Sequence, residues 1–250
     1  MIWLESGGSG DCTILLLHGL GATAAVWSAV RRALAERGSV RWIAPDLCGH
    51  GDSPWRSSYS VGGLAGELAE HLRDVKHLFV VGHSLGAYVG LALASGWFGV
   101  RVEGVVAIGP KIHWSEADLM SAHQLATRPV RAYATEDEAW ARYRRVSGLT
   151  EDIAAGPEAL ARGVLRSEEG WRLAQDPGTF AVAGAPFDSL VACARAQLIA
   201  ARGEHDPMVA RDELCAHVRQ VHDIRGSGHN VHVQNPPAVL ALLEPLLQGG

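Results

Sequence analysis

Apolar and polar residues follow a repeating pattern along the first 110 residues and again after about residue 196. Short runs of consecutive apolar, β-branched residues alternate with longer segments of helical character. The predicted strands are Thr13–Leu17, Val40–Ala44, His77–Gly82, Val102–Gly109, Ala196–Gly203 and Val218–Ile224. The predicted helices cover about 24–37, 60–74 and 236–247, and another begins at Leu85. Uninterrupted apolar strands separated by helices are typical of a parallel sheet that is covered on both faces.

This alternation stops between about Lys111 and Pro186, where no convincing strand pattern is found. Helix starts are recognisable instead, because Ser115 with Asp118 and Thr135 with Glu138 have the spacing of a capping box. We therefore predict an α/β core formed by residues 1–110 and 187–250. Residues 111–186 are predicted to be a helical cap inserted over the carboxyl edge of the strands, where open α/β sheets bind ligands.

The composition disfavours several kinds of binding partner, namely nucleic acid, membranes and zinc. The chain has 250 residues, 48% of them hydrophobic and 20% charged, and a formal net charge of -5, which gives no basic surface for nucleic acid or an anionic membrane. Four scattered cysteines without C-x-x-C spacing suggest neither a zinc site nor a disulfide framework. The first residues do not resemble a signal peptide, so we expect a cytoplasmic protein, either monomer or homodimer. Residues 78–100 lack charge and are long enough to span a bilayer, but their five glycines and one histidine favour a buried core segment.

The most informative stretch is Gly82-His83-Ser84-Leu85-Gly86, which lies between a predicted strand and a predicted helix. It fits G-x-S-x-G, and that structural context is what a nucleophile elbow requires. The glycines relieve crowding at a very sharp turn. The turn presents the Ser84 hydroxyl near a helix N-terminus, where backbone N–H groups stabilise developing negative charge.

A serine hydroxyl needs a base, and the base needs a carboxylate to orient it. Of twelve histidines, His229 lies in a small-residue loop directly after the last predicted strand, on the same sheet edge as Ser84. Asp206 follows the strand that ends at Gly203, and the order Ser, Asp, His is that of α/β hydrolytic enzymes. Glu204 is the alternative acid, whereas His232, on the helical side of the loop, is interpreted as a packing residue.

An oxyanion needs two hydrogen-bond donors. We predict the backbone N–H of Leu85, which follows the nucleophile, and that of Leu20 in the Gly-rich loop after the first strand. This loop lacks both G-x-G-x-x-G and a Walker lysine, so dinucleotide binding is disfavoured. The loop at 44–55 contains His50 and Asp46, but no spacing typical of metal ligands accompanies them. We therefore predict no cofactor and no metal.

Five stretches in this order resemble the α/β-hydrolase family over nearly the whole chain, and in particular its serine esterase and C–C hydrolase branches. They are LLLHGLGA, APDLCGHGDSP, VVGHSLGAYVG, ARGEHDPMV and GSGHNVHVQNPP. The resemblance implies a mostly parallel, twisted, eight-stranded sheet with helices on both faces, a helical cap, and hydrolysis without a cofactor. It also implies Ser84 as nucleophile, His229 as base, Asp206 as its orienting acid, and Leu20 and Leu85 as oxyanion donors.

Serine at the elbow favours acyl transfer over the alkyl-ester chemistry of related enzymes that have aspartate there. We therefore predict hydrolysis of carboxylic esters of a small, largely apolar molecule. Lactone, thioester and C–C bond hydrolysis remain alternatives, as do a lyase or cofactor-free oxygenase and a non-catalytic, receptor-like binding module. The substrate-binding candidates are Trp114, Trp140 and Tyr143 of the predicted cap, and packing within the cap is the competing interpretation. Arg142, Arg144 and Arg145 are either carboxylate ligands or part of a solvated helix face.

Overall fold

A computed structural model describes residues 1–150 and 153–248, and it contains one large mixed sheet. Its seven strands are β1 (Leu4–Gly8), β2 (Cys12–Leu17), β3 (Arg41–Pro45), β4 (His77–His83), β5 (Val102–Ile108), β8 (Gln197–Gly203) and β9 (Gln220–Ile224). Their order is β1-β3-β2-β4-β5-β8-β9, with only β1 antiparallel to its neighbour. The prediction of a mostly parallel sheet is confirmed, whereas the prediction of eight strands is wrong for the described residues.

Strand β1 was not predicted because its sequence, LESGG, has little β propensity and is only half-buried on alternate residues. Its pairing with β3 places it at the edge of the sheet. An edge strand needs fewer apolar residues than a central one, so its sequence signal is weak.

The central strands are apolar on both sides because both faces of the sheet are covered. In β2, Leu15 and Leu17 belong to one buried cluster, while Ile14 and Leu16 belong to the other. Alternate side chains of a strand point to opposite faces, so a strand covered twice must be apolar at every position. This explains why continuous apolar runs were correct indicators of the central strands.

Helices cover the two faces. Helices α1 (Ser28–Arg37) and α10 (Pro236–Gln248) contribute to one buried cluster, and α2 (Val61–Ala69), α3 (Leu85–Ala94) and α7 (Phe187–Cys193) contribute to the other. Short helices α8 (Arg211–Cys215) and α9 (Val231–Gln234) and a 3-10 helix at Ala24–Trp27 complete this part of the chain. Helix α3 is buried at every residue, as expected for a helix packed under other elements.

Segment 111–186 contains helices and a β-hairpin. Its elements are α4 (Glu116–Ala126), α5 (Glu136–Ser147), α6 (Pro157–Leu160), β6 (Val164–Ser167), β7 (Gly170–Leu173) and a 3-10 helix at Pro177–Val182. The capping box predicted at Ser115 is present, and Thr135 caps α5. The prediction that no strand occurs here is wrong: β6 and β7 form a two-stranded sheet, and Trp171 of β7 also bridges to Tyr133. Such short, half-buried strands leave little pattern in the sequence. Residues 151–152 of the predicted insertion and 249–250 of the predicted core lie outside the described residues.

The uncharged run at 78–100 contains strand β4, the turn at Ser84 and helix α3, so it is a core segment. Among the residues that the structure describes, no helix has both the length and the apolar character needed to cross a membrane.

Candidate active site

Ser84 is held in a strained turn between β4 and α3. Its φ of 50° and ψ of -112° lie outside the regions that non-glycine residues favour. The Ser84 N–H donates to the Ile108 carbonyl oxygen at 2.8 Å, which anchors the turn to β5. Every residue from 78 to 95 is buried except Ser84, which is partly exposed. The strain therefore coincides with the one accessible side chain of this segment.

The flanking glycines are required by close backbone approach. A Cβ on Gly82 would lie 2.5 Å from the Ala87 nitrogen, and one on Gly86 would lie 2.6 Å from the Leu17 carbonyl carbon. Real Cβ atoms essentially never come within 3.0 Å of such atoms. The spacing of the two glycines therefore reflects the steric requirement of the turn.

Asp206 and His229 form a direct pair. The His229 Nδ1 lies 2.8 Å from Asp206 Oδ2, and the other carboxylate oxygen, Oδ1, accepts the Met208 N–H at 2.9 Å. The Asp206 side chain is fully buried and the His229 side chain is 14% exposed. An ionised carboxylate can only accept hydrogen bonds, so Nδ1 carries the proton and Nε2 has a free lone pair. This is the tautomer that a general base needs.

Two contacts bring the His229 loop next to the elbow. The imidazole Nε2–H of His83 donates to the His229 carbonyl oxygen at 3.0 Å, and the two rings are 4.6 Å apart between centroids. The second contact is made by Gly109, the residue after Ile108, whose carbonyl oxygen accepts the Ser84 N–H. A Cβ on Gly109 would lie 3.2 Å from His229 Cε1, so the imidazole packs against this residue. The Ser84 hydroxyl itself makes no hydrogen bond among the described residues, His229 included. Such bonds often tighten only when substrate is bound.

The two predicted oxyanion donors border Ser84. Leu20 and Leu85 line the same cleft as Ser84, and a Cβ on neighbouring Gly19 would lie 3.3 Å from the Ser84 Cβ. Within the described part of the chain, neither the Leu20 N–H nor the Leu85 N–H donates to a protein acceptor. Leu85 also begins α3, so its N–H is one of the free donors at the helix start.

A row of buried neutral histidines lies behind the pair. His232 packs between Trp27 and His83, at centroid distances of 4.5 Å and 4.4 Å, and neither of its ring nitrogens has a partner among the described residues. Burial, and to a smaller extent His229 and His18, lowers its pKa to about 3. Burial also lowers the pKa of His83 well below its ordinary value. Both rings are therefore neutral at pH 7, and the structure places His232 in packing rather than beside Ser84.

The cleft beside Ser84 is small and mostly apolar. It has an empty volume of about 390 Å³, and its walls include Leu20, Leu85, Tyr88, Trp114 and Val182. Trp114 is held in place because its indole N–H donates to the Lys111 carbonyl oxygen at 2.9 Å and the Lys111 ammonium lies 4.6 Å from its ring centroid. The same carbonyl accepts the Tyr88 hydroxyl at 2.5 Å, so these two aromatic walls share one anchor.

The three aromatic residues predicted to bind substrate are placed differently. Trp114 faces the cleft with Ser84. Tyr143 is 1% exposed and belongs to a buried cluster, and Trp140 packs edge-on against it at 5.6 Å. Neither lines this cleft, so the interpretation of Tyr143 and Trp140 as packing residues is the better one. Glu204 is also directed elsewhere, because its carboxylate accepts the Gly226 N–H at 2.9 Å.

A second polar group, centred on Asp46, lies under the Gly-rich loop. The Asp46 carboxylate is fully buried; its Oδ1 accepts the Ala24 N–H at 2.7 Å, and its Oδ2 accepts the Arg162 Nε–H at 3.1 Å. His50 Nε2 accepts the Gly21 N–H at 3.1 Å, and burial lowers its pKa to about 3. These bonds hold the loop that carries Leu20. The sequence indicated a loop that contains Asp46, but its partner Arg162, far along the chain, had no recognisable signal.

Another cavity of the protein lies far from the candidate site. A larger cavity, with an empty volume of about 1020 Å³, lies at the opposite edge of the sheet, between residues such as Val102 and Gln197 near the starts of their strands. It is remote from Ser84. Among the residues that the structure describes, no group of three or more His, Cys, Asp or Glu side chains is arranged to hold a metal ion.

The chain belongs to the α/β hydrolase family. The profile described as "Alpha/beta hydrolase family" matches residues 14–242, which includes every strand of the sheet except β1 and part of β2. The resemblance inferred from the sequence motifs is thereby confirmed.

Several known proteins are similar to this chain. An uncharacterised protein of Mycobacterium tuberculosis is 44% identical over 91 residues, which are 35% of this chain and 26% of that protein. An esterase of the same species is 29% identical over 270 residues, covering 98% of this chain and 85% of that protein. The crystal structure of an E-2-(acetamidomethylene)succinate hydrolase superposes with a TM-score of 0.81 at 20% identity, covering 99% of this chain and 95% of that one. The chain thus spans only about a quarter of the first of these relatives.

Proposed function

We propose that this protein hydrolyses carboxylic esters through an acyl-enzyme, with Ser84 as nucleophile, His229 as general base and Asp206 as its orienting acid. One observation carries the proposal: the strained, accessible Ser84 lies in a turn that contacts the loop of His229, whose Nδ1 is 2.8 Å from a fully buried carboxylate. Packing alone does not require a non-glycine residue at positive φ next to such a pair. The similarity to an esterase over 98% of this chain supports the same reaction.

The reaction follows from these positions. His229 Nε2 accepts the Ser84 hydroxyl proton while Oγ attacks the ester carbonyl carbon, and the C=O electron pair moves to the oxygen. The Leu20 and Leu85 N–H groups stabilise that oxyanion. The C–O bond to the alcohol breaks, and the alcohol leaves with the proton from His229. Water then attacks the acyl-serine with the same base, which releases the carboxylic acid and restores Ser84.

The position of the buried carboxylate supports its proposed role. Asp206 also accepts the Met208 N–H, and the Arg202 guanidinium donates to its backbone carbonyl at 3.3 Å. These bonds fix the loop, so the imidazole is oriented before substrate binds. Stabilisation of the imidazolium that forms in the first step is the expected contribution of Asp206.

The cleft geometry supports a small acyl group. The cleft is small and its walls are mainly apolar, which suits a short acyl chain rather than a long fatty acid. Lactones and thioesters have the same carbonyl chemistry, and C–C bond hydrolysis uses the same groups. They are secondary candidates because the relative that aligns with 98% of this chain is an esterase.

The test is turnover of 4-nitrophenyl acetate and butyrate by the wild type and by Ser84→Ala. We expect the variant to lose at least about 10³-fold in kcat, as triad deletions generally do. Exposed Ser58 provides a matched control, since Ser58→Ala removes a hydroxyl in a loop away from the cleft. Labelling of the intact protein by a fluorophosphonate should map to Ser84. Unchanged turnover by Ser84→Ala would refute the proposal, and absence of turnover by wild type on all acyl substrates would favour a binding module.

A further inference from the structure

A second cavity lies within segment 111–186, close to the Gly-rich loop of the candidate site. It has an empty volume of about 730 Å³. Three arginines line it: Arg128, Arg131 and Arg142. Its other walls are mainly apolar, with Leu125, Val146 and Phe180 among them. A cavity that combines cationic and apolar walls is suited to an amphipathic anion.

The inner end of this cavity reaches the Gly-rich loop that carries Leu20. A Cβ on Gly21, next to Leu20, would lie 2.5 Å from Val146 Cγ1 and 3.2 Å from Gln175 Oε1. Val146 and Gln175 both line the cavity. The 3-10 helix at Pro177–Val182 continues from this cavity to the Ser84 cleft, because Phe180 lines the former and Val182 the latter. The cavity and the Ser84 cleft are therefore joined by the Gly-rich loop and by this 3-10 helix.

The arginines of the cavity differ from about half of the other arginines in their electrostatic surroundings. Eight arginines elsewhere have a carboxylate within 4.0 Å: Arg31, Arg32, Arg37, Arg56, Arg73, Arg162, Arg202 and Arg211. None of the three cavity arginines has such a partner among the described residues, and no aspartate or glutamate lines the cavity. Arg131 instead packs over the Tyr133 ring at 4.9 Å, and Arg142 is half-buried.

We infer that the substrate is an ester that carries a negatively charged group, a carboxylate or a phosphate, and that this cavity binds that group. The inference rests on the proposed function, and it replaces a wholly apolar substrate with an anionic one. Arg128 and Arg131 are exposed and Arg142 is half-buried, so three charges of one sign line the same space and attract an anion, and the half-buried charge is screened least by solvent. The planar guanidinium can also bind either oxyanion with two hydrogen bonds.

The inference is tested by comparing charged and neutral esters of equal size. One pair is mono-4-nitrophenyl glutarate and its methyl ester, with the charge on the acyl side. The other set consists of phenyl butyrates whose ring carries a carboxylate, a phosphate or a methyl ester, with the charge on the alcohol side. The set in which the charged ester is preferred shows whether the anion lies on the acyl side or on the alcohol side of the ester bond. The ring substituents then distinguish a carboxylate from a phosphate.

The decisive variant is Arg142→Gln, with Arg145→Gln as matched control because Arg145 is an exposed residue of the same helix outside the cavity. We expect Arg142→Gln to lower kcat/KM for the preferred anionic ester by about tenfold or more, while the neutral ester changes by less than about twofold. Arg131→Gln should act in the same direction. Equal effects on charged and neutral esters would overturn the inference, as would a wild type that prefers the neutral member of every pair.

Failure of the proposed function gives a different result. If Ser84→Ala retains turnover of the neutral ester, the assignment of the nucleophile is wrong whatever the charge preference. Binding is then still measurable with a ligand that has no ester bond: in calorimetric titration with glutarate, the Ser84→Ala protein should bind more tightly than the double variant that also carries Arg142→Gln. An affinity that is the same with and without Arg142 would contradict the anion site itself.

Discussion

The clearest steric prediction concerns the substitution Gly82→Ala in the turn before Ser84. The added methyl would lie 2.5 Å from the Ala87 nitrogen, and still closer to the Gly86 carbonyl group. Ordinary van der Waals contact begins at 3.4 Å, so the backbone must separate by at least 0.9 Å at this point, the difference between 3.4 Å and the 2.5 Å to the Ala87 nitrogen. All three nearest atoms belong to the backbone, and no side-chain rotation can relieve the contact.

The magnitude follows from that displacement. Overpacking that side chains can absorb costs about 1–3 kcal/mol, so a backbone-only clash should reach or exceed about 3 kcal/mol. Ser84 lies within the displaced turn, and a shift of about 1 Å at a reacting group costs on the order of 10² in rate. We therefore expect Gly82→Ala both to lower the free energy of unfolding and to lower kcat more than KM changes.

The assay is urea unfolding together with nitrophenyl ester turnover. The matched control is Gly62→Ala in helix α2, where the nearest atom to an added Cβ is 4.0 Å away. Alanine there should stabilise the protein by about 0.5–1 kcal/mol, since it restricts the unfolded chain and favours the helix. If Gly82→Ala leaves both stability and turnover at the level of Gly62→Ala, the steric account of the elbow is wrong.

Two further predictions concern buried charge. Arg162→Gln removes a bidentate partner of the fully buried Asp46 and should destabilise the protein by about 3 kcal/mol in urea unfolding. The control Arg73→Gln, which breaks an exposed ion pair, should cost less than about 1 kcal/mol. Equal losses of unfolding free energy in the two variants would contradict the argument. His232, with a pKa of about 3, stays neutral when folded but binds a proton below pH 6.5 when unfolded, so it lowers stability as pH falls. Between about pH 7.5 and pH 5 this amounts to about 2 kcal/mol, which His232→Phe should abolish and a change at exposed His205 should not.

The local sequence was sufficient to predict the central strands and the sharp turn at Ser84. The apolar runs at β2, β4 and β5 predict buried strands because both faces of the sheet require apolar residues at every position. The two glycines around Ser84 indicate the turn because the backbone itself needs them. The edge strand β1 and the hairpin β6–β7 escaped prediction, since half-exposed short strands need no distinctive composition.

The sequence alone could rank Ser84, Asp206 and His229 as candidates, because the order of strands and loops assigns each to one edge of a parallel sheet. It could not show the 2.8 Å contact between Asp206 and His229, the burial of Tyr143, or the partnership of Arg162 with Asp46. These depend on distances between residues that are 23 or 116 positions apart. Local propensity carries no information about such distances; only the packing of the whole sheet against its helices determines them.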